Sequence, residues 1–581
     1  MTQTQQKVKP TGVSIVLAGE AGQGIQSIET LLVNVLRKDG FHVFATKEYM
    51  SRVRGGVNST QIRSASGPVR SYCDSIDIFI PLDNESYRHH EQRLSGHSAV
   101  IADSAKVSAQ GIIDVPFKKI ATEFGNPLFA NTVAAGVICG ILEVAQTTLN
   151  EFIAAVFQKK GQAIVDSNIA AAEKGYAIGV ELRDKEIIAM EGVVKEQRVD
   201  SLLLSGSQSV ALGAVAGGCD SCFAYPMTPG TGVFTLMAGY ADKCGIAVEQ
   251  VEDEIGVINM ALGAWYAGGR ALVSTSGGGF ALMTEGLSLA GMIESPVVIH
   301  LAQRPGPATG LPTRTEQGDL NLVLYAGHGL FPRIVLSPGD TKQAFELTQL
   351  AFELADKYQI PVFILTDQYF VDSYYDIPPF TLKNSGYTRH IQETTRGYKR
   401  YALSQNGISP RGVPGFGSGM VCADSDEHDE SGRITEDLDG ISLAMKDKRF
   451  KKFDTVKQAA IAPQIIGPKN YSTLIVGWGS VYNTIAEALE LSGDTSTSFL
   501  FFPQVYPVHS SARELLKSAR EVIVVENNQS GQFARLLEQE TGIAIEKRVL
   551  KYNGLPFSVE EVANAISSKR AASASEEVLH G

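Results

Sequence analysis

The side chains best equipped for chemistry gather between positions 225 and 319. Glu252-Asp253-Glu254 puts carboxylates in a row, groups able to hold or move a proton. Arg304 stands at the end of an apolar run. The loop there reads Gln303-Arg304-Pro305-Gly306-Pro307-Ala308-Thr309-Gly310-Leu311-Pro312-Thr313-Arg314-Thr315-Glu316-Gln317-Gly318-Asp319. A guanidinium in such a place can grip a carboxylate through paired hydrogen bonds. Upstream, Tyr225-Pro226-Met227-Thr228-Pro229-Gly230-Thr231-Gly232 is a loop forced by two prolines and two glycines, and it presents Thr228. Between the two loops, the strand-like run Ala271-Leu272-Val273-Ser274-Thr275-Ser276 enters Gly277-Gly278-Gly279. Irregular polar loops at the ends of apolar strands predict one site at the carboxyl edge of a parallel sheet.

A second cluster lies near the start. Val13-Ser14-Ile15-Val16-Leu17-Ala18 reads as a strand, Gly19-Glu20-Ala21-Gly22-Gln23-Gly24 as a turn, residues 25–37 as an amphipathic helix, and Phe41-His42-Val43-Phe44-Ala45 as the next strand. This is a βαβ start. The turn spacing is G-x-x-G-x-G, and no acidic residue stands at the ribose position, which disfavours a nicotinamide dinucleotide. Backbone amides of Gly22, Gln23 and Gly24 at a helix start could face a phosphate, or the turn could be purely structural. Arg52 and Arg54, beside Gly55-Gly56, tip the balance toward an anion site because guanidinium forks match phosphate oxygens.

These loops need strands and helices behind them, and the chain supplies three α/β stretches. Residues 1–190 hold the first, with further strands at 76–80 and 99–102 and helices at 130–142 and 149–157. Residues 201–455 hold the second, with strands at 222–224, 271–275, 297–301, 333–336 and 360–365, and then a long arm from 405 whose glycines and prolines oppose regular structure. Residues 465–566 hold the third, and a small, polar tail over 567–581 is expected to be disordered. A chain of 581 residues is too long for one core.

The net charge of −12 with no long basic run argues against nucleic acid as partner. No apolar stretch is long enough for a membrane span, and the polar start lacks a signal core, so a cytoplasmic location is expected. The six cysteines are scattered; Cys219-Asp220-Ser221-Cys222 has no further ligands nearby and is read as free thiols, not a metal or cluster site.

Taken together, Gly19-Glu20-Ala21-Gly22-Gln23-Gly24, Tyr225-Pro226-Met227-Thr228-Pro229, Gly310-Leu311-Pro312-Thr313 with Glu316-Gln317-Gly318-Asp319, Gly407-Ile408-Ser409-Pro410-Arg411, and Glu526-Asn527 with Gly531-Gln532 resemble the 2-oxoacid:ferredoxin oxidoreductase family. The chain looks like its alpha subunit in the fused gamma–alpha form, and the resemblance covers essentially the whole length. Two departures are mild: Met227 stands where isoleucine is common, and no proline accompanies Ser276-Gly277-Gly278-Gly279.

The resemblance implies a gamma-like domain associated with coenzyme A, a pyrimidine-type thiamine-diphosphate domain and a transketolase C-terminal-like domain. It implies Glu254 as the catalytic carboxylate that hydrogen-bonds the aminopyrimidine ring, with Glu252 as fallback. It implies Thr228, Arg304 and Thr313 as substrate contacts, and Gly22, Gln23, Gly24, Arg52 and Arg54 as contacts to coenzyme A phosphates. No Gly-Asp-Gly motif for Mg²⁺ and no cysteine pattern for a [4Fe–4S] cluster occurs here. The resemblance places both on a beta subunit, in an (alpha–beta)₂ assembly that passes electrons to ferredoxin. The implied reaction is decarboxylation of 2-oxoglutarate with coenzyme A, reversible as CO₂ fixation. Pyruvate or another 2-oxoacid is the alternative substrate. A non-redox coenzyme A transferase or ligase subunit would account for the first glycine turn but not for Glu254 with Arg304. A non-catalytic scaffold is the third class.

Overall fold

The computed structural model describes residues 10–21, 23–51, 55–188, 195, 200–380, 386–568 and 577–579. The chain forms two compact units, Met1–Leu204 with Ser373–Pro379 and Ser558–Ser567, and Ser205–Asp372 with Phe380–Phe557 and Ser568–Gly581. The architecture is α/β throughout.

The first unit is built on an eight-stranded sheet. Val13–Glu20 and His42–Glu48 are joined by the helix Ile25–Lys38, as the apolar spacing predicts. They are not neighbours, however. Val57–Ala65 lies between them, antiparallel to both. Its polar sequence hid it as a strand, because its buried polar groups find partners only in the folded chain. Gln61 Nε2 donates to Ser14 Oγ at 2.7 Å, and Arg63 Nη1 donates to the Ser71 carbonyl at 2.8 Å. On the helical side, Ala130–Ile141 crosses Gln162–Asp184 at backbone contact. A Cβ on Gly136 or Gly175 would collide with the opposing main chain, so only glycine permits this approach.

The second unit has two sheets. The central one orders its strands Gln504–Tyr506, Ile334–Leu336, Pro361–Asp367, Val297–Gln303, Ala271–Thr275, Ser221–Ala224 and Ala247–Gln250. All are parallel except Gln504–Tyr506. Near-continuous burial of Ala271–Thr275, Val297–Gln303 and Pro361–Asp367 is what a sheet covered on both faces demands. The other sheet runs Gln464–Ile466, Thr497–Phe502, Thr473–Trp478, Glu521–Glu526, Lys547–Lys551 and Glu577–Leu579. Its last strand falls in the tail expected to be disordered. There, backbone pairing along the edge of Lys547–Lys551 supplies what a small, polar sequence cannot. Residues 569–576 and 580–581 of that tail lie outside the described residues.

The arm also differs from expectation, since it contains the 18-residue helix Ile441–Gln458. Buried charge holds the arm down. Arg270 and Arg411 grip the two oxygens of Asp356, Arg270 Nη2 at 2.8 Å and Arg411 Nη2 at 2.5 Å. Farther along, Lys448 and Lys452 converge on the buried Glu294 carboxylate, and Arg400 donates to the Glu294 carbonyl at 2.8 Å. Burial would raise the Glu294 carboxyl, but Lys452, Lys448 and Arg400 outweigh it and hold it well below its usual range. Burial pulls Lys452 down to about 7, against the attraction of Glu294.

Two stability outcomes follow. Asp356→Ala leaves the buried Arg411 facing no anion and Arg270 only Glu353 Oε2 at 3.8 Å, and is expected to cost about 3–5 kcal/mol in urea unfolding. Lys452 sheds its proton more readily when folded than when unfolded, where it holds it to about pH 10.4. The unfolded state therefore binds more protons across that window, and stability rises as pH goes from about 7 to about 10. Urea midpoints measured across that range should climb in the parent chain and climb less in Lys452→Met.

Candidate functional site

The central sheet interrupts its apolar strands at one polar crossing. Ser274 and His300 are paired in register on neighbouring strands. Ser274 Oγ donates to the Gly230 carbonyl at 2.9 Å and lies 2.9 Å from His300 Nδ1. His300 Nε2 lies 2.9 Å from Thr366 Oγ1. Burial pulls His300 down to about 3, so the ring is neutral. With the serine proton committed to Gly230, Nδ1–H donates to Ser274 and Nε2 accepts from Thr366. This relay pins the loop carrying Thr228 to the sheet. A histidine inside Val297-Val298-Ile299-His300-Leu301 was the sequence signal for it, and it went unused.

Beyond the relay, the chain folds everything around Gly277-Gly278-Gly279. A Cβ on Gly277 would overlap both carboxylate oxygens of Asp319. One on Gly278 would stand 3.7 Å from Met227 Sδ and from the Ala308 carbonyl. One on Gly279 would lie 2.7 Å from Glu254 Oε1 and overlap Thr275 Oγ1. Thus the acidic helix start and both irregular loops meet on one turn.

Glu254 opens the helix Glu254–Tyr266, whose first turn is capped by Asp253 Oδ1 accepting from Gly256 N at 2.8 Å. Glu254, Val257, Ile258, Ala261, Leu262 and Trp265 recur at helical spacing and are buried. Glu252 and Asp253 point outward and are exposed, which separates Glu254 from its fallback. Glu254 is 3 % exposed, and its Oε1 has no hydrogen-bond partner among the described residues. A buried carboxylate oxygen left without a donor is costly, so this atom is placed for a donor the chain does not provide.

Arg304 follows Val297–Gln303 and donates from Nη1 to the Thr228 carbonyl at 2.6 Å, joining the two loops. Burial lowers its pKa, partly offset by Asp319. Thr313 is buried on the part of the loop that packs toward Gly554, where Thr315 N donates to the Gly554 carbonyl at 3.1 Å. The structure therefore brings Glu254 and the two loops that carry Thr228 and Arg304 to the triglycine turn. The end of this loop is bolted to the other sheet of the unit. Gln317 Nε2 donates to the Trp478 carbonyl at 2.8 Å, Asn527 N donates to Gln317 Oε1 at 2.9 Å, and Gln532 Nε2 donates to the Gly318 carbonyl at 2.8 Å.

Two titratable groups of this loop had no role assigned from sequence. Burial raises Asp319 to about 6, with Arg304 pulling the other way. Burial raises Glu316 to about 7, and Asp319 adds to it.

In the first unit, Gly24 has φ 81° and precedes the helix Ile25–Lys38. Gln23 lies on a cavity of about 370 Å³ with Leu82, Lys106, Lys118 and Asn131. The cavity sits where Val13–Glu20 meets Ile78–Pro81 at their carboxyl ends, and helical connections leave in opposite directions from these two strands. Gly22, Arg52 and Arg54 lie outside the described residues. Glu48, His89 and His90 bring their ligand atoms within 4.8 Å of one another. Arg93 Nη1 faces His90 Nδ1 at 3.2 Å, however. A guanidinium only donates, so Nδ1 accepts, Nε2 keeps its proton, and the ring is a poor metal ligand. Cys219 and Cys222 are buried, and burial raises both thiols, Cys219 to about 12. Cys244 is exposed. No helix among the described residues is long and apolar enough to cross a membrane.

Residues 14–178 match the family model "Pyruvate ferredoxin/flavodoxin oxidoreductase", and residues 212–446 match "Pyruvate flavodoxin/ferredoxin oxidoreductase, thiamine diP-bdg". A 2-oxoacid:ferredoxin oxidoreductase subunit alpha from Sulfolobus sp. is 31 % identical over 95 % of this chain and 96 % of the relative. This chain belongs to the alpha-subunit family of 2-oxoacid:ferredoxin oxidoreductases. It is a subunit of an oxidoreductase. The 2-oxoglutarate synthase subunit KorA of Archaeoglobus fulgidus is 30 % identical over 58 % of this alpha subunit and 90 % of its own length. Among solved structures, the 2-oxoglutarate:ferredoxin oxidoreductase of Magnetococcus marinus, with 2-oxoglutarate, coenzyme A and succinyl-CoA bound, is 30 % identical. That match covers 97 % of this chain and 100 % of the other, with a TM-score of 0.89.

The turn itself can be tested. Gly279→Ala must push against Glu254 and Thr275, and is expected to lower stability by about 1–3 kcal/mol in urea unfolding. Gly278→Ala meets only ordinary contacts and should cost under about 0.5 kcal/mol.

Proposed function

We propose that this chain is the alpha subunit of a 2-oxoglutarate:ferredoxin oxidoreductase. The reaction is oxidative decarboxylation of 2-oxoglutarate with coenzyme A to succinyl-CoA and CO₂, with the electrons going to ferredoxin. The observation that carries the proposal is Glu254 Oε1, buried without a partner among the described residues on the turn that Asp319 borders.

The donor set fits the pyrimidine side of thiamine diphosphate. When bound, that cofactor supplies the nucleophilic carbon that adds to the 2-oxo group and the electron sink that lets CO₂ leave. With the cofactor bound, Glu254 Oε1 would accept a hydrogen bond from a protonated ring nitrogen of the aminopyrimidine and so hold the proton there. Because the carboxylate is buried and its helix is capped, no reorganisation is needed to present it. Arg304, already committed through Nη1 to the Thr228 carbonyl, turns the rest of its fork to the substrate carboxylate. Thr228 and Thr313 offer hydroxyls to the 2-oxoacid from the two loops. In the first unit, Gln23 and Gly24, together with Gly22, Arg52 and Arg54, receive the phosphates of coenzyme A. Mg²⁺ and a [4Fe–4S] cluster belong to a beta subunit in an (alpha–beta)₂ assembly. With low-potential ferredoxin the same machinery runs backwards and fixes CO₂.

The preference for 2-oxoglutarate is supported by the KorA relative and by the Magnetococcus marinus structure and its bound 2-oxoglutarate. A pyruvate substrate is the second reading, favoured by the descriptions of the matching family models.

Co-expression with its beta partner and assay of viologen reduction tests the proposal. Reduction should require both coenzyme A and 2-oxoglutarate; higher kcat/KM with pyruvate would transfer the assignment, and no reduction with any 2-oxoacid would sink it. Glu254→Gln is expected to lose at least about 100-fold in kcat/KM. Arg304→Lys gives up paired hydrogen bonding, so KM should rise about 10–100-fold while the melting temperature stays put.

A further inference from the structure

Asp319 stands in an unusual place for an acid. Its Oδ2 is buried without a hydrogen-bond partner among the described residues. Its carboxylate rests on the Cα face of Gly277, and its backbone N–H is fixed by Gln303 Oε1 at 3.0 Å. Gln303 is itself fixed by the Thr366 carbonyl at 3.0 Å, so the acid cannot swing away with its loop. Arg304 is the next residue along from Gln303 and senses Asp319 electrostatically, yet the two form no ion pair; the guanidinium goes to the Thr228 carbonyl instead. A structural carboxylate buried beside an arginine would ordinarily close that pair. Here both groups are held short of it.

We propose that Asp319 is a positioning residue that sets the charge available at Arg304. With Asp319 protonated, the guanidinium is left to the carboxylate of the 2-oxoacid; with Asp319 ionised, it competes with that carboxylate. Binding of the anionic substrate therefore draws one proton from solvent onto Asp319, and release returns it. This rests on the reading that Arg304 receives the substrate carboxylate.

Burial is what disfavours the ionised form of Asp319. Asp319 raises Glu316 on the same loop, and Glu254 sits at Gly279, two residues along the turn from Gly277. Arg304 alone favours the ionised form. A substrate carboxylate on Arg304 would remove that one support. Burial has already brought Asp319 to about 6, so the added anion moves it through neutrality, where the linkage is measurable.

The test uses the alpha–beta complex with its cofactors. KM and kcat for 2-oxoglutarate are measured between pH 5.5 and 8.5. In the parent complex KM should rise with pH above about 6, approaching tenfold per pH unit, while kcat varies much less. Asp319→Asn, permanently uncharged, should hold a low KM with a flattened profile. Glu316→Gln should keep most of the parent slope. Isotope-edited infrared difference spectra, with and without 2-oxoglutarate at pH 7.5, should show a protonated aspartate C=O band that Asp319→Asn lacks. That band also decides the matter if the variant fails to fold. A flat parent KM profile, an Asp319→Asn profile that follows the parent, or no substrate-induced aspartate band overturns the inference while leaving turnover, and the proposed function, intact. Absence of turnover with every 2-oxoacid overturns both.

Discussion

Close approach to a backbone without side chains governs this site. Gly277 and Gly279 bring two acidic side chains, Asp319 and Glu254, onto one short turn, where any Cβ would stand in their place. The strand Ala271–Thr275 delivers that turn to the carboxyl edge of the central sheet. Neighbouring strands deliver Arg304 and the Thr228 loop to the same edge, because parallel pairing aligns their ends. Once the register is set, the loops have little freedom left. The Ser274–His300–Thr366 relay fastens one of them, and Gln317, clasped between Trp478 and Asn527, fastens the other.

The long arm after Phe380 solves a different problem. Most of it has neither helix nor strand bonds to hold it, and it leaves apolar side chains such as Met420, Ile434 and Leu438 exposed. Two buried charge clusters take over that role. Asp356 between Arg270 and Arg411 is nearly balanced by hydrogen bonds, including Arg411 Nη1 to the Trp265 carbonyl at 3.0 Å. Glu294 faces more positive charge than it can neutralise, which is why burial wins at Lys452. Such clusters add geometric definition to a segment more surely than they add stability, since desolvation consumes most of the attraction. Arg411 lies in the Gly407-Ile408-Ser409-Pro410-Arg411 motif, so that motif helps to secure the arm.

Legibility varied with how local the cause was. Helix Ile25–Lys38 and the apolar strands at Ala271–Thr275 and Val297–Gln303 were readable because their periodicity is written in consecutive residues. Val57–Ala65 was not, since a strand of buried polar side chains looks like a loop until Ser14 and Ser71 arrive from elsewhere. Helix Ile441–Gln458 escaped for a related reason: it is polar nearly all round, with its buried lysines answered by a glutamate far away in sequence.

Sequence by itself determined the α/β class, the loops that end strands, and Glu254 and Arg304 as side chains with chemistry in reach. These follow from residue type, spacing and resemblance. Tertiary structure alone decided that Glu252 faces outward while Glu254 is buried, and that Asp319 rests against Gly277 while Arg304 turns to the Thr228 carbonyl. The reason is that desolvation and charge proximity depend on distance in space. Asp319 and Gly277 are far apart along the chain, and only the folded sheet makes them neighbours.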